Sequence, residues 1–190
     1  MLMIAVIAFV AVLSFMDHAG IFGYRGDDRS QYEGRVATIT YAADGDTIDI
    51  DLPDGKRPVT RIRLWGVDCP EIAHEEGEED AYFGREATDF VRNKIVGQKV
   101  RLVFDPNRRP RDKFGRLLAY AYLVDSGEML NELLIRRGFG YADRRFEHVY
   151  KHRFVQLDKK AMKALAGLWA EVTPEQMPAW RQRMDARKAR

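Results

Sequence analysis

Three short segments hold the side chains best suited to chemistry. The first is Asp44-Gly45-Asp46-Thr47, between two β-rich runs. Asp46 shares the parity of Ile48 and Ile50, so continuing the strand points its carboxylate inward. An inward carboxylate costs roughly several kcal/mol unless something satisfies it. A hard cation would do so, and so would the backbone N–H groups of the turn itself. The second segment runs from Arg61 to Glu71, RIRLWGVDCPE. Asp68 and Glu71 leave a strand end, Pro70 stiffens the turn between them, and Arg63 is a permanent charge in an otherwise apolar strand. Asp46 and Asp68 can supply carboxylate oxygens to one calcium ion, with carbonyls and water completing roughly six to eight ligands. Glu71 can then act through a water. The same residues fit equally well an Arg–Asp pair closing the mouth of a barrel. The third segment, Arg108 to Arg116, has five basic residues in nine around Pro110 and Gly115. Its planar guanidinium forks suit phosphodiester oxygens, although a solvated loop accounts for the composition as well.

The elements that must position these groups read as a small barrel with helices. Val36 to Tyr41, Thr47 to Leu52 and Val59 to Val67 are β-rich runs separated by Asp44-Gly45 and by Pro53-Asp54-Gly55, which makes a three-stranded meander. Ala81 to Val96 has helical spacing, with Asp80 as an N-cap and Gly97 as the stop. Val100 to Phe104 and Leu117 to Val124 are two more strands. Met129 to Arg137 and His148 to Ala166 are two more helices, and Thr173-Pro174-Glu175-Gln176 carries the signature of a helix start. The expected fold is therefore α+β: a five-stranded Greek-key barrel of the OB type with three α-helices, preceded by a hydrophobic helix and followed by a short C-terminal helix.

Composition narrows the function classes. The 190 residues carry 31 basic and 29 acidic side chains, a net +2 that marks the chain as neither polybasic nor acidic. That figure conceals a segregation, because residues 44–98 hold 7 basic and 14 acidic side chains and residues 99–163 hold 16 and 8. A cation site beside an anion site is one arrangement that such halves can build. The single cysteine, Cys69, excludes a disulfide framework and a cysteine-rich zinc site. His148 and His152 stand four apart without a third ligand motif, so a solvated helix face is the expected reading. Residues 1–16, MLMIAVIAFVAVLSFM, contain no charge and read as a signal or membrane anchor; residues 17–31 read as a linker. The expected organisation is 1–16 anchor, 17–31 linker, 32–170 barrel domain and 171–190 basic C-terminal helix.

The order DGDT, then Arg63 ahead of Val67-Asp68-Cys69-Pro70-Glu71, then Asp112-Lys113-Phe114-Gly115-Arg116, then Asn131-Glu132 with Ile135-Arg136 and Gly138, resembles the staphylococcal-nuclease-like (thermonuclease) family. The resemblance covers about residues 34–170. It implies an OB-type barrel and a calcium-dependent phosphodiesterase acting on DNA and RNA that leaves 3′-phosphate ends. It implies calcium ligation by Asp46, Asp68 and the backbone carbonyl of Cys69, with Asp44 supporting. It assigns Glu71 to the attacking water and Arg63 and Arg116 to the reacting phosphate. Lys113 and Phe114 match residues that bind the nucleotide, but Phe114 lacks the tyrosine hydroxyl expected there. The family's Tyr-x-Tyr segment has no counterpart, and Arg144, Arg145 and Phe146 stand in that neighbourhood.

The leading expectation is thus a monomeric calcium-dependent endonuclease that prefers single-stranded nucleic acid. It is expected to be membrane-anchored or exported through its N-terminal segment, with the nuclease domain on the extracytoplasmic side. The alternative is a membrane-tethered OB module that binds nucleic acid without cutting it.

Overall fold

The computed structural model describes residues 28–73, 75 and 77–188. The apolar run 1–16 and most of the 17–31 linker lie outside the described residues. A five-residue helix, α1 (Asp28–Tyr32), belongs to the first of two units, which ends at Glu33.

From Gly34 onward the alternating runs build the expected barrel. Strands β1 (Val36–Ala42), β2 (Thr47–Ile50) and β3 (Thr60–Leu64) form the antiparallel meander. The two-residue strand β4 (Val67–Asp68) follows, then β5 (Lys99–Val103) and β6 (Leu117–Leu123). The order β1-β2-β3-β6-β5 closes on itself, with β3 and β6 as the parallel pair. Inward residues Ile39, Ile48, Ile50, Ile62, Leu64, Leu102 and Leu117 fill the interior and are sealed from solvent. Each such side chain contributes about 1.5–3 kcal/mol through burial.

Several expected boundaries shift, the first three for a local reason. The run Val59 to Val67 is not one strand. Gly66 takes a left-handed φ of 80°, which turns the chain after β3. Val67–Asp68 then pairs with β7 (Tyr141–Ala142), through Val67 with Ala142 and Asp68 with Tyr141. The first long helix, α2 (Gly84–Lys94), starts later than Ala81, and Asp80 does not cap it. Asp80 instead accepts the Ala73 N–H at 2.9 Å and pairs with Arg85, while Phe83 occupies the cap position with φ 67°. The capping box of Thr173 and Gln176 opens only a short 3-10 turn, Pro174–Gln176. Met177, ahead of Pro178, is extended as pre-proline residues prefer, so the last helix, α5, is confined to Ala179–Lys188.

Helices α3 (Leu130–Arg136) and α4 (Lys151–Lys163) complete the body. Asn131 of α3 is fully buried; its Oδ1 accepts the Ala121 N–H and its Nδ2 donates to the Trp65 carbonyl, which ties α3 to β6 and to the turn after β3. Among the described residues no helix is long and apolar enough to cross a membrane.

His148 lies ahead of α4 rather than on it, so the expected four-residue helical spacing with His152 is not formed. The Tyr120 hydroxyl donates to Asp105 Oδ2 at 3.0 Å, so its oxygen accepts from His148 Nδ1 at 3.1 Å. That assigns the proton to Nδ1, and Nε2 is left buried without a hydrogen-bond partner among the described residues. Burial pushes His148 below its ordinary value; Asp105, Asp143 and Glu147 oppose this, and Lys151 adds to it. The folded state therefore prefers the neutral ring. The corresponding stability is present above the unfolded pKa of about 6.5 and is lost as pH falls toward the depressed folded value. Urea titrations from pH 7 to 5 are expected to show a shallower loss of stability in His148→Gln than in the wild type; parallel curves would refute the assignment.

Candidate active site

The end of β3, the β4 segment and the Asp44–Asp46 turn meet at one side of the barrel. Gly45 permits this approach, since a Cβ there would lie 2.8 Å from the Cβ of Cys69 and 3.1 Å from that of Ala87. Arg92 of α2 fixes the same turn by donating to the carbonyls of Ala42 and Ala43 at 3.0 and 3.1 Å. Asp44 Oδ1 accepts the Asp46 N–H at 2.9 Å, so one carboxylate shapes the turn that presents the other.

Asp46 is 1% exposed, as its parity required. Its Oδ2 accepts the Cys69 N–H at 2.6 Å, which binds the turn to the strand end after β4. Its other oxygen pairs with Arg63 Nη1 and accepts from the Thr47 hydroxyl at 3.3 Å. Arg63 Nη2 reaches Asp68 Oδ1 at 2.9 Å, so a single guanidinium spans both carboxylates. Burial pushes the Asp46 carboxyl well up; Arg63 counters this, and Asp44 and Asp68 reinforce it. Burial alone would lower the Arg63 pKa, but Asp46, Asp68 and Asp44 together raise it. The Cys69 thiol is driven up by burial and by Asp46, which keeps it protonated and excludes a nucleophilic role.

Above this buried layer lies a cavity of about 670 Å³. Arg63, Asp68, Glu71, Lys113, Phe114 and Arg116 all line it, although they come from two separate stretches of chain. Arg116 is held by Asp112 Oδ2 at 2.8 Å, and Asp112 Oδ1 also accepts the N–H groups of Phe114 and Arg116, which folds the cationic loop. Phe114 is 70% exposed, with Lys113 Nζ 4.8 Å and the Arg116 guanidinium 5.4 Å from its ring centre.

Three further residues reach the site, none of them among the expected catalytic, metal or nucleotide-binding residues. Arg145 donates to both oxygens of Asp143 and to Asp68 Oδ1, each at 2.8–2.9 Å. Phe146, also on the cavity wall, lies 5.3 Å from Trp65 between ring centres. Trp180 donates its indole N–H to Asp68 Oδ2 at 2.7 Å. The sequence signal for the first two was their place opposite the missing Tyr-x-Tyr segment; for Trp180 there was none. Arg144 turns away from the cavity and pairs with Asp185.

Among the described residues no three His, Cys, Asp or Glu side chains form a metal cage. The set expected to hold calcium contains only two side chains, Asp46 and Asp68, plus a carbonyl. Its chemistry fits a hard cation on two counts. All its donors are oxygens, and three carboxylates converge around the largely buried Arg63 guanidinium, which leaves excess negative charge in a poorly solvated place.

The model of the staphylococcal nuclease homologue family matches residues 61–171. A thermonuclease of Staphylococcus hyicus is 36% identical over 171 residues, 88% of this chain and 95% of the relative. The chain belongs to the staphylococcal nuclease family. A thermonuclease of Staphylococcus intermedius is 34% identical over 88% of this chain and 94% of its own length, and an endonuclease of Bacillus subtilis (strain 168) is 32% identical over 70% and 59%. The closed barrel with its helices is the α+β, OB-type architecture of this family.

Removing the bridging cation should be costly. Arg63→Met leaves the buried Asp46 without its cation and takes one of two from Asp68, and a loss of about 3–5 kcal/mol is expected. Urea unfolding in chelator measures this; a loss below about 1 kcal/mol would mean that the carboxylates do not depend on Arg63.

Proposed function

We propose that the protein is a calcium-dependent nuclease that hydrolyses phosphodiester bonds in DNA and RNA. The observation that carries this reading is the single cavity where Arg63, Arg116 and Glu71 meet the edge of the buried Asp46–Asp68 pair. Nuclease relatives covering nearly the whole chain support it.

In this reading Asp46, Asp68 and the Cys69 carbonyl hold the ion, and Asp44 supports the turn that presents Asp46. Bound there, calcium supplies positive charge that favours the anionic transition state. Glu71 orients a water and takes its proton as the water oxygen attacks phosphorus. Arg63 and Arg116 place guanidinium donors on the phosphate oxygens, whose charge grows as the bond to the 5′ oxygen breaks. The products are a 3′-phosphate and a 5′-hydroxyl. Lys113 adds charge for the strand, while Phe114 and Phe146 offer exposed rings for base stacking. A base can stack on them only when unpaired, which favours single-stranded substrate. The uncharged first 16 residues support an anchored or exported enzyme; in this reading the domain lies on the extracytoplasmic side and works as a monomer.

Cleavage of single-stranded DNA by the full chain is expected to need calcium and to stop with chelator. Glu71→Gln should lower the rate about 10²–10⁴-fold, and Arg116→Ala about 10²–10³-fold. End-group analysis should find 3′-phosphates. DNA binding without calcium-dependent cleavage would replace this reading with a non-catalytic OB module.

Calcium at about 100 times its dissociation constant should also stabilise the fold by about 2.7 kcal/mol. A melting temperature indifferent to calcium would count against the ion site. Fractionation should place the full chain in the membrane or outside the cell; recovery from the soluble cytosol would refute the localisation.

A further inference from the structure

The C-terminal helix α5 begins after residue 171, where the family match ends, yet it reaches the centre of the site. Trp180 is 6% exposed, and its only polar atom is directed to Asp68 Oδ2 at 2.7 Å. The other two tryptophans differ, because the indole N–H groups of Trp65 and Trp169 are buried with no hydrogen-bond partner among the described residues. The Trp180 bond is therefore more than a by-product of packing an indole in this interior.

The rest of α5 is built to keep that bond in place. Arg181 is buried, with Nη1 on Asp158 Oδ2 at 2.8 Å and Nε on Asp185 Oδ2 at 2.7 Å, and its guanidinium lies 5.0 Å from the Trp169 ring. Arg144 adds a bond to Asp185 Oδ1 at 2.6 Å. Sliding the helix would leave Arg181 and Asp158 buried and unpaired. Arg145 meets the other side of the same group: it lies 5.0 Å from the Trp180 ring and donates to Asp68 Oδ1. Asp68 is thus gripped on one oxygen by two guanidinium groups and on the other by an indole.

We propose that Trp180 is a positioning residue for the ion site, fixing the orientation of Asp68 through its indole N–H so that little ordering remains when calcium binds. The inference rests on the reading of Asp68 as a calcium ligand. It makes the C-terminal helix part of the nuclease centre and not an appendage to it. Hydrogen-bond partners that orient a metal ligand typically change affinity by about 10–100-fold when removed.

The test is calorimetric titration of the full chain with calcium chloride, without nucleic acid, comparing wild type with Trp180→Phe. The phenyl ring keeps most of the packing and loses the donor. Calcium binding is expected to weaken by about 10-fold or more. The melting temperature in chelator should stay within a few degrees, a pattern that a purely structural role would not give. If Trp180→Phe folds poorly, replacing the indole by its benzothiophene isostere removes the N–H alone, and the same weakening is expected. Unchanged calcium affinity in a folded variant overturns the positioning role. A wild-type chain that takes up no calcium overturns the ion-site reading itself, whatever the variant does.

Discussion

The guanidinium of Arg63 is the hinge of the whole arrangement. It lies buried between Asp46 and Asp68, and neither carboxylate could be tolerated there without a positive partner. Asp46 in turn holds the Cys69 N–H, so the turn after β1 and the strand end after β4 are joined through its carboxylate. The apolar barrel below sets the low dielectric that makes these contacts strong, and it also makes them indispensable. The charge segregation between the two halves of the chain has its local expression here: the acidic half provides a buried anionic layer, and the loop ending at Arg116 provides part of the cationic wall above it.

Around that hinge the protein uses charge in two different ways. Asp112, Asp143 and Asp80 each pair with an arginine while also accepting a backbone N–H, and in doing so set the shape of a loop. Arg63 and Arg145 instead converge on Asp68 and leave the cavity wall cationic next to an anionic floor. The first use is structural and local. The second creates a field, and a substrate with closely spaced negative charges is what such a field selects.

Much of this was legible in the sequence. The parity of Asp46 with Ile48 and Ile50 foretold its burial, and the apolar setting of Arg63 foretold an anionic partner. The strand runs foretold the closed barrel. What stayed hidden depended on contacts without a local pattern. Trp180 lies 112 residues from Asp68 and on a different kind of element, so nothing in its surroundings marks it. The break between β3 and β4 follows from the left-handed conformation of Gly66, a backbone property that an apolar run conceals. Asp80 looked like a helix cap because it is an Asp ahead of a helix, but the Ala73 N–H and Arg85 compete for it more effectively.

The parallel pairing of β3 with β6 has a kinetic consequence. It sets Arg63 beside Leu118, two residues past Arg116, so the arginines on the two sides of the cavity are brought together by the ladder that joins residues 62–64 to 117–119. Pairing across such a separation waits on the closure of a long loop, which places it late among the contacts a folding chain can make. A chain with its meander formed but β6 not yet paired would still lack the cavity. Recovery of the site during refolding is therefore a clock for barrel closure, one that runs behind any signal from secondary structure alone.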